Sequence, residues 1–170
     1  MKYTSSEANK LLRKLNEERN ALLEKEQRSS TFLAAMGEDP ESVRPVYDYP
    51  DTQKELDELN RTIRIVKHAI NGFNLEHMVP GFDMSIDQML VYIPQLTAKK
   101  QKLALMKNRL PKQREMGPPF GRNSNIIDYS YANYDIKIVE EDYAAVADEL
   151  ARAQTALDVM NNTEKMEIEI

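Results

Sequence analysis

At 170 residues the chain is long enough for one domain with its own core. Yet 41% hydrophobic content with only 7% aromatic, no tryptophan and 30% charged residues is the composition of elongated helices with much wet surface. The lack of cysteine excludes disulfides, a thiolate nucleophile and sulfur-based zinc sites, and a net charge of −5 disfavours a general nucleic-acid coat or a binder of anionic lipid.

The opening MKYTSSEANKLL carries one lysine and no apolar run, and nowhere do about eighteen apolar residues follow one another. The expectation is therefore a cytoplasmic protein with neither a secretion signal nor a membrane span. A first helix is expected over 5–35, with Ala8, Leu11, Leu12, Leu15, Leu22 and Leu23 on one side. Asn16 and Arg19 interrupt that stripe, and Gly37 is placed to end it. GEDPESVRPVYDYP reads as loop, because Pro40, Pro45 and Pro50 carry no amide donor.

A second helix is expected over 51–75, since Leu56, Leu59, Ile63, Val66, Ile70 and Phe73 alternate spacings of three and four, the a and d positions of a coiled-coil seam. Asp51 is its expected N-cap, and Gly72, Pro80 and Gly81 bracket its end. SIDQ, Ser85 to Gln88, has the capping-box form and opens a third helix over 85–110. Pro94 predicts a kink there, and Pro111 a stop.

GPPFGRNSN reads as loop. Beyond it Ile127, Tyr129 and Tyr131 alternate, as do Tyr134, Ile136 and Ile138, which predicts a β-ribbon over 126–138 turning at Ala132 and Asn133. Two strands are marginal alone, so such a ribbon packs on helices or pairs with another chain. A fourth helix is expected over 140–161, with Val139, Tyr143, Val146, Leu150, Ala153, Leu157 and Met160 as its seam.

The fold class that follows is mainly α: elongated antiparallel hairpins in a coiled-coil bundle, one domain over 1–170, with four long helices and a small β-hairpin. The small residues Ala144, Ala145, Ala147, Ala151, Ala153 and Ala156 widen the last helix's apolar side and let a partner approach. A homodimer or a higher closed ring is the expected outcome.

Chemistry is sparse. Neither His-x-x-x-His nor Glu-x-x-His occurs, there is no Gly-x-Ser-x-Gly elbow, and the prolines of GPPFG remove the amides a phosphate cradle needs. No catalytic residue, metal ligand or cofactor is expected. His68 reads as a surface residue and His77 as a helix-end residue bonded to backbone or water.

Residues 98–114 contain Lys99, Lys100, Lys102, Lys107, Arg109, Lys112 and Arg114 without one acidic residue. Such a segment suits a phosphate-bearing ligand or nucleic acid. Against that, cations near a helix C-terminus complement its dipole and can pair with acidic helices across a bundle, the reading the acidic whole favours.

Asn71, Asn74, Asn161 and Asn162 are candidates for a polar turn or a register between helices. The tyrosines of VYDYPD and IIDYSYANYD, with Asp48, Asp128 and Asp135, read as packing rather than a ligand groove. Together these observations favour a non-enzymatic, self-assembling scaffold. The alternatives are phosphate or nucleic-acid binding through 99–114 and an enzyme with its site at an oligomer interface.

LDELNRTIRIVKHAINGFN, GFDMSIDQML and VEEDYAAVADELARAQTALDVMNNTEK together resemble a family of bacterial coiled-coil proteins of unestablished function, some of them labelled septicolysin. The resemblance spans nearly the whole chain in element order. Its best local match is Ile70-Asn71-x-x-Asn74, echoed by Asn161, Asn162 and Thr163. It implies an all-helical protein with a small β element. The label implies a cytolysin, an activity not carried over to a chain with no expected leader, span or cysteine. Gly72 and Phe73 depart from the more polar residues of the family between the two asparagines.

Overall fold

The computed structural model describes residues 1–114 and 128–170. Mainly α, the described residues form five helices and two two-stranded antiparallel ribbons. The chain divides into two compact units, Met1–Met78 with Asp158–Ile170, and Val79–Leu157.

The first unit begins with β1 (Lys2–Thr4) and α1 (Ser5–Ser29). Thr4 Oγ1 accepts the Glu7 amide at 3.2 Å while Glu7 Oε2 accepts the Thr4 amide at 2.8 Å, a reciprocal cap that satisfies two otherwise open donors. Contrary to expectation, α1 does not run to Ala35. Ser29, Ser30 and Thr31 compete for the backbone and favour helix ends, so the last bond, Ser30 amide to Glu26 carbonyl, closes the helix early. Gly37, with φ of 87°, serves a separate turn.

The single turn α2 (Pro40–Val43) leads to α3 (Tyr49–Glu76). Its N-cap is Asp48, whose Oδ1 accepts the Asp51 amide at 3.0 Å, and not Asp51 itself. Pro50 thus falls inside the first turn, where its missing donor has no partner to lose. On the seam of α3, Leu56, Val66, Ile70 and Phe73 are buried, and Leu59 and Ile63 half-buried. They face α1, which buries Ala8 and Leu15.

The two helices run antiparallel. Glu26 near the end of α1 meets Gln53 near the start of α3, while β1, before α1, pairs with β4 (Lys165–Glu167), which lies against α3. Reciprocal bonds between Met1 and Ile168, both 2.8 Å, extend that ribbon and bury Ile168 beside Met166.

The second unit opens with a turn over residues 79–82. Pro80 sits at its second position, Gly81 at its third with φ of 79°, and the Phe82 amide reaches Val79 O at 3.1 Å, the type II pattern. Ser85 and Gln88 form the expected capping box of α4 (Ile86–Lys107), with bonds of 2.9 and 3.3 Å. The helix continues through Pro94.

β2 (Lys112–Arg114) then pairs with β3 (Tyr129–Tyr131), and α5 (Ile136–Thr163) follows. The expected hairpin at Ala132 and Asn133 is therefore replaced. The partner of the Tyr129 strand lies upstream, and Ile136 and Ile138 are helical. Asp135 explains this, since its Oδ1 accepts the Lys137 amide at 2.8 Å and its carbonyl accepts that of Val139 at 3.2 Å. A good local cap outweighs a short alternating pattern. GPPFGRNSN and Ile127 lie outside the described residues.

α4 and α5 are antiparallel: Tyr92 Oη donates to Glu149 Oε1 at 3.1 Å, whereas Lys107, farther along α4, lies 4.0 Å from the ring of Tyr143, earlier in α5. The α5 seam is buried at Val139, Val146, Leu150, Ala153, Leu157 and Met160, as the spacing predicts.

Two glycines offer opposite tests. Gly72 lies inside α3 with open space where a Cβ would go, so Gly72→Ala should stabilise the protein by about 0.5–1 kcal/mol. Gly81→Ala forces a side chain into the left-handed region and should destabilise by about 1–2 kcal/mol. Thermal melts followed by circular dichroism read both.

Candidate functional site

The end of α3 carries the KHAINGFN stretch. His77 leaves the helix with φ of −94° and ψ of 121°, and its amide bonds Phe73 O at 3.1 Å. The ring of His77 stacks on that of Phe73 at 3.9 Å, and Nδ1 lies 3.0 Å from the same carbonyl. A carbonyl can only accept, so in this hydrogen bond Nδ1 is the donor. This is the helix-end role expected from sequence.

Residues 68, 69, 72, 73 and 76 share one face of α3 by helical spacing. With His77 and Lys165, Met166 and Glu167 of β4 they line a cavity of about 330 Å³. It gathers both histidines of the chain, two carboxylates and one ammonium. Among the described residues no group of three or more such side chains is arranged to hold a metal ion.

The four asparagines do not converge as one cluster. Asn162 Oδ1 accepts from Ser6 Oγ at 2.9 Å and its amide donates to the Asp158 carbonyl at 2.7 Å, tying the end of α5 to the start of α1. Asn71 is exposed and Asn161 half-buried. Asn74 is half-buried, with a buried Oδ1 that has no hydrogen-bond partner. Among the described residues no bond joins Asn71 or Asn74 to Asn161 or Asn162.

The basic segment is placed on α4 and just past it: Lys99, Lys102 and Arg109 are exposed, Lys100 and Lys107 half-buried. The expected ion pairs across the hairpin are not found. Every ion pair among the described residues joins side chains three or four positions apart in sequence, from Lys14–Glu18 to Arg152–Glu149. Lys100 and Lys107 instead lie 6.0 and 4.0 Å from the ring of Tyr143, because the seam presents an aromatic face to that end of α4. Tyr134 Oη donates to the Met106 carbonyl at 2.9 Å and satisfies one of the open acceptors at the helix end.

Two features had no warning in the linear pattern. Pro80, Gly81, Phe82 and the α5 residues Ala151, Arg152, Thr155 and Ala156 line a largely apolar cavity of about 440 Å³, with Arg152 5.9 Å from the Phe82 ring. At the other junction Glu26 Oε1 accepts from Tyr47 Oη at 2.7 Å and Gln53 Nε2 at 2.6 Å. The hydrogen bond to Glu26 is the main cause that pushes the Tyr47 phenol up to about 12. Burial, then the bond to Glu149, raises that of Tyr92. Only the small residues of α5 hinted at the first feature, and only the polar VYDYPD at the second.

No family model matches the sequence, and no curated protein does. Among solved structures, a functionally unknown conserved protein from Corynebacterium diphtheriae is similar, with a TM-score of 0.63 at 14% identity, covering 98% of this chain and 100% of that one. At this identity the likeness speaks for the fold alone.

The phenol at position 47 gives a pH test. A folded-state pKa raised from 10 to about 12 contributes stability that is whole below pH 10 and is lost as pH rises toward 12. Tyr47→Phe should therefore melt below the parent near neutrality, and the gap should shrink between those two pH values.

Proposed function

We propose that this chain is a non-enzymatic, self-assembling helical protein, working as one domain over 1–170, whose α4 docks on a second copy of itself. The observation that carries this reading is a second apolar stripe on α4. Leu90, Val91 and Leu105 are 48%, 58% and 73% exposed, while Met89, Leu96 and Leu103 on the same helix are buried.

At about 100° per residue, Leu90, Val91 and Leu105 fall within roughly 100° of one another, with exposed Pro94 and Ala98 between them. The buried residues point the opposite way. A helix apolar on two opposed faces needs a partner on each, and α5 covers only one. A second copy suits the other face, because the stripe carries no charge between positions 90 and 98 and identical apolar stripes are self-complementary.

The phenols of Tyr47 and Tyr92 are both held in hydrogen bonds between neighbouring elements of the chain, a packing role. The sequence resemblance supports membership in the bacterial coiled-coil family, part of it labelled septicolysin, and the structural likeness agrees with the mainly α fold that such membership implies. The cysteine-free composition supports a cytoplasmic setting. No helix among the described residues is long and apolar enough to cross a membrane.

Light scattering coupled to size exclusion should give a mass above 19.6 kDa at micromolar concentration. The Leu90→Glu, Leu105→Glu double variant should fall to the monomer mass with its helix content intact, whereas Met89→Ala should lose about 2–5 kcal/mol of stability from a fully buried position. A monomeric parent protein would overturn the reading.

A further inference from the structure

We infer that the β2–β3 ribbon is a docking face for single-stranded nucleic acid, with cations for its phosphates and tyrosines for its bases. Lys112 pairs with Tyr131, Gln113 with Ser130, and Arg114 with Tyr129. Directly opposed residues of an antiparallel pair share a face, as do residues two apart in one strand. Lys112, Arg114, Tyr129 and Tyr131 therefore stand on one face of the ribbon, and Gln113 and Ser130 on the other.

That face is open. Lys112 and Arg114 are exposed, and Tyr129 and Tyr131 are 44% and 64% exposed. Lys112 lies 4.2 Å from the Tyr129 ring and 5.5 Å from the Tyr131 ring, which holds ammonium and aromatic planes together. The ribbon is anchored at its base, where the Ala132 amide bonds Pro111 O at 3.1 Å. Of the described carboxylates near it in the chain, exposed Asp128 precedes Tyr129, and Asp135 is directed to the start of α5, accepting the Lys137 amide.

A phosphate polymer answers the charge, and only a strand with unstacked bases answers the rings as well. Base–tyrosine stacking tolerates any sequence, whereas a duplex keeps its base faces closed. The net charge of −5 confines such binding to this local face. The inference concerns the ribbon and is independent of whether α4 self-associates.

Fluorescence anisotropy with a labelled oligothymidylate of about twelve nucleotides tests it on the whole protein at low salt. The expected result is binding that exceeds that of a duplex of equal length, with a log–log salt slope near −1.4, about −0.7 for each of two neutralised phosphates. Lys112→Gln with Arg114→Gln should weaken binding and flatten that slope. Tyr129→Ala with Tyr131→Ala should weaken it about fivefold or more at an unchanged slope.

Because the chain has no tryptophan, quenching of tyrosine emission on titration gives a second readout on the unmutated protein. No binding at low salt, binding indifferent to both double variants, absence of quenching, or equal affinity for duplex or poly-glutamate would each overturn the inference.

Discussion

Two helices pressed together along a single apolar stripe leave most of each cylinder in water, and the other features of this molecule answer to that constraint. α1 and α3 meet along one stripe, and α4 and α5 are joined where Tyr92 bonds Glu149 and Lys107 rests on Tyr143. Isolated helices of this kind are marginal, so their ends must be well capped. They are: Thr4, Asp48, Ser85 and Asp135 each accept a first-turn amide. The wet faces carry ion pairs within single helices, each worth only a few tenths of a kcal/mol.

On that wet surface the cations of residues 99–114 point outward or rest on tyrosine rings, and the histidines sit at the edge of a modest cavity. α4 departs most from the single-stripe rule, since it is apolar on two sides. The ribbon departs from it in another way, by displaying aromatic rings that helix packing does not use.

Much of this was readable in the chain. The heptads of α3 and α5 survive almost residue for residue, because burial at fixed spacing is a strong and repeated signal. The Ser85 box survives because it is a local reciprocal bond. Misplacements fall where two local options compete. Asp48 and Asp51 both look like caps, and only the tolerance of a first turn for Pro50 decides between them. Ile136 and Ile138 alternate like a strand until Asp135 caps a helix through them. The alternating MEIEI near the end of the chain was a strand signal that went unused, yet Met166 and Ile168 are buried in the ribbon with β1.

By itself the sequence determined the helical class, the four long helices, the buried stripe of each hairpin's second helix and several of the caps, since each depends on residues within a few turns of one another. Only the tertiary structure decided what meets what across long separations. It paired Lys2 with Glu167 and Lys112 with Tyr131, joined Asn162 to Ser6 and set the basic end of α4 against Tyr143. Spacing tells which side of a helix is apolar, but the partner that covers it, or leaves it open, depends on how distant segments return in space. KHAINGFN shows both halves: its seam and its end are local, while the cavity it lines exists only because β4 comes back beside it.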